Sequence, residues 1–248
     1  MELPDKIEKT LMVTLDNKQK KVYKTYADHA VDLIEKKVKE DEFKNSKIEI
    51  LSYITKLRQL CLDPSIVINN YSGGNGKMDA LVELLHKSIA QGHRILVFSQ
   101  FTSVLKNIGE KISGEKIPFS YLDGTIKLEE RINIVKKFNK GKNPVFLISL
   151  KAGGTGLNLT SADVVIHFDP WWNTAVEEQA ADRTHRIGQK NVVEVIKIIA
   201  KGTIEEKIVL LQNEKKKLIE KLMGNKLSMG ENLKSFTEED ILGLFQNR

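Results

Sequence analysis

The stretch Val145-Phe-Leu-Ile-Ser149-Leu-Lys151-Ala-Gly-Gly-Thr-Gly156-Leu-Asn158 sets a short run of strand-forming apolar residues directly against a loop carrying three glycines. An apolar run without polar alternation fits a strand covered on both faces, as in a parallel sheet. Arg94–Ser99, Pro118–Leu122, Val164–Phe168 and Val192–Ile199 have the same character. Helical spacing occupies 77–91, 102–114 and 127–140, one stretch before each of the first three runs in chain order. Strands alternating with helices predict an α/β fold, a parallel sheet with helices on both faces. Ligands of such sheets bind beyond the carboxyl ends of the strands. Those ends read Ser99-Gln100, Asp123-Gly124-Thr125, Lys151-Ala152-Gly153-Gly154-Thr-Gly156 and Asp169-Pro-Trp171-Trp172-Asn173. Polar or glycine-rich loops gathered on one edge predict a binding surface there.

Before the first run the pattern is different. Residues 16–45 are rich in lysine and glutamate and carry a helical stripe of Val22, Tyr26, Ala30, Leu33 and Val38. Ser46-Lys-Ile-Glu49 reads as a capping box opening a second helix, with Ile50, Ile54, Leu57 and Cys61 on one face. Asp63-Pro64 ends it, and the turn-forming Asn69–Gly76 stretch marks a boundary. Thr203-Ile-Glu-Glu206 predicts a capped final helix with Ile204, Ile208, Leu211, Leu218 and Leu222 on one side.

The 248 residues carry 39 basic and 33 acidic side chains, a net charge of +6 that suits a polyanionic partner. Cys61 is the single cysteine, which excludes an intramolecular disulfide and, between two leucines, predicts a buried thiol in a reducing compartment. No apolar run is long enough to span a bilayer, so a soluble, intracellular protein is expected.

Only six of the 39 basic residues are arginine, and two of them lie three apart in Gln179-Ala-Ala-Asp-Arg183-Thr-His-Arg186-Ile-Gly-Gln189. A planar, permanently charged fork recognises phosphate bidentately, which lysine cannot do. Three apart on a helix would place both forks on one face. The plainer alternative pairs Arg183 or Arg186 with Glu177, Glu178 or Asp182. In the glycine-rich loop, successive free amides suit an anion, and Asn158 either caps the next segment or reaches a ribose hydroxyl. If Trp171-Trp172 is extended, one ring faces the core and the other faces out. His185 reads as a structural donor, and no metal-ligand constellation is present. Gly73-Gly-Asn-Gly-Lys77-Met78 is similar to a P-loop, but its spacing is wrong and no hydroxyl residue follows Lys77, so a helix-initiating turn is expected.

Taken in order, these segments resemble the second RecA-like lobe of the Swi/Snf-like superfamily 2 DNA translocases. The matching stretches are Leu96–Phe101, Tyr121–Gly124 with Glu130-Arg131, Ser149–Leu159, Phe168–Asn173, Gln179–Gln189 and Gly202–Lys207, with Leu57–Pro64 leading in. The resemblance implies a RecA-like lobe over 76–224, an N-terminal helical extension over 1–75 and a tail over 225–248. It implies that Arg183 and Arg186 are arginine fingers at the ATP γ-phosphate. Gln179, Gly154, Gly156 and Asn158 would serve the nucleotide side. Ser99, Gln100, Asp123, Gly124, Thr125, Lys151, Ala152, Gly153, Trp171 and Trp172 would follow double-stranded DNA. ATP with Mg²⁺ would be held mainly by a first RecA-like lobe of the same protein, whose P-loop and DEAH carboxylates are not in this sequence. The 248 residues alone are therefore expected to be inactive, and monomeric. Lys151 stands where an arginine is usual, and Thr174 where a proline is usual. Rival readings are a non-catalytic DNA-binding module and an RNA helicase lobe.

Overall fold

A computed structural model of the chain describes residues 4–40, 42–43, 45–153, 157–186, 188–223 and 238–245. Its elements in chain order are β1 (Lys6–Val13), α1 (Asn17–Lys39), α2 (Lys47–Leu62), a 3₁₀ turn (Pro64–Ile66), α3 (Gly76–Ala90), β2 (Ile95–Ser99), α4 (Thr102–Gly114), β3 (Phe119–Leu122), α5 (Leu128–Asn139), β4 (Val145–Ser149), α6 (Leu150–Gly153), β5 (Val164–His167), α7 (Thr174–Ala181), β6 (Val193–Ala200), α8 (Ile204–Met223) and α9 (Glu238–Phe245). They form two compact units, one of Met1–Met12 with Met78–Ile199 and one of Val13–Lys77 with Ala200–Arg248.

The first unit is built on the sheet, whose strand order is β1-β6-β5-β2-β4-β3. β2 runs parallel between β4 and β5, with Ile95 opposite Val145 and Val164. β3 pairs with β4 and β6 with β5, again in parallel. Every residue of β2, β4 and β5 is buried, as expected of a sheet covered on both faces. Leu96, Phe98, Phe146 and Phe138 anchor its core, the last two rings 5.0 Å apart. β2 to β6 begin and end within one residue of the sequence expectation.

β1 is the strand the sequence does not announce. Lys-Ile-Glu-Lys-Thr-Leu-Met-Val has neither a continuous apolar run nor clean alternation, and its six central residues are all exposed. It lies at the sheet edge, where half-burial does not imprint a pattern. Residues 1–75 are thus not helical throughout, because this strand precedes α1.

The second unit contains α1 and α2, which pack together. Ile50, Ile54, Leu57 and Cys61 form the expected inner stripe of α2. The face of α1 differs from expectation: Gln19, Tyr23, Ala30 and Ile34 are buried, whereas Val38 is exposed. Hydrogen bonds help select that face. Gln19 Nε2 donates to the carbonyls of Leu60 and Cys61 at 2.9 and 3.2 Å, and the Tyr23 hydroxyl accepts the Ile204 amide at 2.7 Å. Burial pushes the Cys61 thiol well above its ordinary range.

Capping also departs from the sequence reading. Ser46 occupies the N-cap of α2 without a side-chain bond. A reciprocal box opens α1 instead, where Asp16 accepts the Lys18 amide at 2.9 Å and Gln19 accepts the Asp16 amide at 3.3 Å. At α8 the Thr203 hydroxyl accepts from Glu205 N–H at 3.2 Å, while Glu206 reaches back to Gly202 at 2.8 Å, one residue before the cap. Leu218 and Leu222 lie outside the residues whose side chains are described.

Lys77 of the P-loop-like stretch is fully buried in this unit. Its Nζ lies 2.9 and 2.8 Å from the two carboxylate oxygens of Glu205, itself fully buried. The cation is neutralised internally, in agreement with a structural turn rather than a phosphate cradle.

Candidate functional site

The loops leaving the carboxyl ends of β2, β3, β4 and β5 belong to the sheet unit, and side-chain hydrogen bonds hold many of their described residues. Ser99 is fully buried, and its hydroxyl accepts the Phe101 amide at 3.2 Å. The Gln100 amide donates to Asp169 at 3.2 Å, joining the loop after β2 to the loop after β5. The Gln100 side-chain Nε2 is buried without a hydrogen-bond partner.

After β3, the nearly buried Asp123 accepts from the Tyr121 hydroxyl at 2.9 Å and from Thr125 N and Oγ1 at 2.9 and 2.6 Å. The Thr125 hydroxyl is the first cause holding this carboxyl below the ordinary carboxylate range. Burial, and then Asp123, push the Tyr121 phenol up. Arg131 Nη2 donates to the Gly124 carbonyl at 3.1 Å. Gly124 and Thr125 thereby become a rigid, exposed lip.

β4 runs directly into α6. Lys151 is exposed there, while Ala152 is buried with its amide 3.3 Å from Ser149 Oγ. Gly153 ends α6, and Gly154 and Gly156 lie outside the described residues. Asn158 is exposed, and its carbonyl accepts from Asn139 Nδ2 at 2.9 Å. After β5, Trp171 is half-buried against the sheet core and Trp172 is also half-buried. Asn173 caps α7 by accepting the Ala175 amide at 3.0 Å, which makes Thr174 the first helical residue. Proline is favoured at that position because the amide there has no intrahelical partner, and threonine is compatible with it.

The arginine pair is arranged differently from the expectation of two forks on one helical face. α7 stops at Ala181, and the chain turns with Thr184 N–H on the Ala181 carbonyl at 3.0 Å and Arg186 N–H on the Thr184 carbonyl at 3.1 Å. Arg183 is therefore buried, 2% exposed, whereas Arg186 and Gln179 are exposed. The ion-pair alternative fails for two of its three acids. Glu177 pairs with Lys197 at 2.6 Å and Asp182 with Lys6 at 3.6 Å, and among the described residues neither arginine forms an ion pair. Arg183 Nε and Nη1 are buried without hydrogen-bond partners. Burial, and then the neighbouring Arg186 charge, lower the Arg183 pKa.

Main-chain bonds fix this turn. Leu159 N–H donates to the Arg183 carbonyl at 3.1 Å, tying the end of the glycine-rich segment to the arginine. Gln189 Nε2 donates to Ala162 and Thr184 carbonyls at 2.7 and 3.1 Å. His185 Nε2 meets the Pro4 carbonyl at 2.5 Å, a structural donor as expected. An almost fully buried guanidinium with two free N–H groups beside a second cation is costly unless an anion arrives.

The sequence reading missed the setting of two residues: Glu177, weighed there as a partner for the arginines, and His167. Glu177 is 2% exposed and accepts the Trp171 amide at 2.6 Å as well as pairing with Lys197. His167 is buried, stacked on Phe98 at 5.8 Å, with neither ring nitrogen hydrogen-bonded, and burial pushes its pKa down. Glu177 lies between the Phe168–Asn173 and Gln179–Gln189 segments, and its partners come from β6 and a loop amide that spacing does not reveal. An apolar strand gives no sign that His167 will lack partners. Among the described residues no helix is long and apolar enough to cross a membrane.

Residues 76–188 match the family described as helicase conserved C-terminal domain. An ATP-dependent helicase of Mycoplasma pneumoniae is 41% identical over 249 residues, covering 99% of this chain but 23% of that protein. The chain thus spans about a quarter of the length of such relatives. The Sulfolobus solfataricus SWI2/SNF2 ATPase C-terminal domain is 30% identical with a TM-score of 0.71, covering 96% of this chain and 93% of that one. The SWI2/SNF2 ATPase core of the same organism, solved in complex with double-stranded DNA, is 32% identical with a TM-score of 0.71, covering 89% of this chain and 46% of that one.

Proposed function

The chain belongs to the SWI2/SNF2 ATPase family, as its C-terminal domain, and on that premise we propose that it is the second motor lobe of an ATP-dependent double-stranded DNA translocase. The observation that carries the proposal is Arg183, a buried cation whose Nε and Nη1 have no partner. In the assembled motor these donors, with the exposed Arg186, stabilise charge on the transferred phosphoryl group. ATP and Mg²⁺ are held chiefly by the first lobe of the full-length protein. Gln179, Asn158, Gly154 and Gly156 would serve the nucleotide side, as the family resemblance implies.

The duplex runs along the strand-end loops. Lys151 supplies a point charge to a phosphate, and the exposed Gly124 and Thr125 let a backbone approach closely. Ser99, Asp123 and Ala152 are buried, so they act by holding their loops in shape, while Gln100, Gly153, Trp171 and Trp172 complete the surface. Contacts of this kind follow phosphates, giving weak sequence preference and steep salt dependence. Closure and reopening of the two lobes over ATP then drives stepping inside the cell.

The test is R183A and R186A in the full-length protein. DNA-stimulated ATP turnover should fall by about 10³–10⁵ for a finger that meets the γ-phosphate, with duplex binding retained. Unchanged turnover rejects the assignment. The 248-residue chain alone should show no DNA-stimulated hydrolysis, and RNA should stimulate the full-length protein less than double-stranded DNA.

A further inference from the structure

Glu177 is a buried carboxylate to which the proposed mechanism gives no task. It lies in the first turn of α7, where one oxygen accepts the Trp171 amide and the other meets Lys197 of β6, both at 2.6 Å. The far end of the same helix holds the arginine turn, because the Ala181 carbonyl accepts the amides of Thr184 and His185 at 3.0 and 3.4 Å. Ala180 and Ala181 are buried in the core against which Trp171 also packs. α7 has only eight residues, so about 12 Å separates its ends and there is little length over which it can bend.

We infer that Glu177 is a positioning residue that couples the Trp171-Trp172 loop to Arg183, so that duplex engagement at one loop sets the place of the guanidinium at the other end of α7. This rests on the reading of Arg183 as a finger. A buried ion pair is weak evidence for stability, since packed apolar residues of similar volume often do as well. What the carboxylate supplies that an apolar residue does not is a fixed point on three segments: the loop after β5, α7 and β6. Lys197 stands opposite His167 in the β5–β6 register, which places the clamp at the same sheet end as the loop it holds.

Two measurements test the inference. In the full-length protein, E177M removes the Trp171 acceptor and the charge. The ratio of kcat with saturating duplex to kcat without it should fall at least tenfold (roughly 1.4 kcal/mol) while KM for ATP stays within about threefold. E177Q keeps an oxygen for the Trp171 amide and should retain the ratio within about threefold of wild type. In the 248-residue chain, E177M likewise removes the acceptor. Amide exchange should then quicken at Trp171 and at Thr184 together while the β2 amides keep their protection. An unaltered ratio in E177M, or exchange at Trp171 that rises without Thr184, or a uniform rise including β2, overturns the coupling. If R183A leaves turnover unchanged, the finger reading fails instead. If R183A is inactive and E177M behaves as wild type, only the coupling fails.

Discussion

Replacing Lys77 by methionine removes one half of an ion pair with no exposure at either side chain. Glu205 would keep the Ala200 amide, 2.8 Å from Oε2, as a donor. Breaking a buried pair from one side leaves an uncompensated charge and costs about 3–5 kcal/mol, while removing both charges is often neutral. Because neither group meets solvent, no screening reduces that figure. With a urea m-value near 3 kcal/mol per molar, the midpoint should fall by about 1–2 M. E205Q should show a similar loss, and K77M/E205L should recover most of it. Far-UV circular dichroism of the 248-residue chain during urea titration reads the midpoint. Single variants within about 0.5 kcal/mol of wild type, or a double variant as unstable as the two losses added, would refute the clasp, since contacting groups should not behave additively. A phosphate-binding lysine predicts the opposite pattern: nucleotide affinity lost and stability spared.

A Cβ at Gly76 would lie 2.3 Å from the Thr14 carbonyl oxygen, a contact with backbone that cannot swing away. G76A should therefore cost about 1–3 kcal/mol, read from the same urea curves, and a midpoint at the wild-type value would disprove the close approach. His167 is kept neutral by burial, so the unfolded chain takes up a proton that the folded chain refuses as pH drops below the ordinary imidazole range. Its contribution is intact above pH of about 6.5 and is lost on acidification, at up to about 1.4 kcal/mol per pH unit until the folded pKa is reached. H167F should flatten stability between pH 7 and 5, and an unaltered slope contradicts the assignment. R183M removes an unpaired buried charge, so it should stabilise the chain by on the order of 1 kcal/mol or more, read as a higher melting temperature, while abolishing turnover in the full-length protein. A lower melting temperature would show that Arg183 is a structural residue.

The sheet was legible because β2, β4 and β5 are buried on both faces, so their sequences are nearly pure apolar runs bounded by turn chemistry. β1 lies at an edge with its side chains in solvent, and no burial constraint writes a pattern into it. The inner face of α1 was misread because Gln19 and Tyr23 earn burial through bonds to backbone groups 41 and 181 residues away. At the candidate site, residue types at strand ends identified which loops matter, but not how each side chain is used. Asp123 and Ser99 turn inward to hold their own loops, and the helix expected to present both arginines ends before reaching either. Such outcomes depend on local hydrogen bonds that compete with helix continuation, which spacing alone does not rank.

Lys77 and Arg183 are both almost completely buried cations, and their surroundings separate structure from function more sharply than their motifs do. Lys77 sits in a stretch similar to a phosphate-binding loop, yet both oxygens of Glu205 are committed to it. Arg183 sits in a turn that could have drawn on Asp182 or Glu177, yet those carboxylates are taken by Lys6 and Lys197. The chain thus commits a carboxylate to the lysine that resembles a nucleotide ligand, whereas Asp182 pairs with Lys6 and acts on Arg183 through its charge alone. A fold selected for stability alone would match Arg183 with an acid or replace it with an apolar side chain. Two unpartnered donors are retained instead, next to a second guanidinium that raises the electrostatic cost further. On the proposed reading the penalty is recovered when a group carrying more than one acceptor and a negative charge enters the turn, and a terminal phosphate meets both requirements.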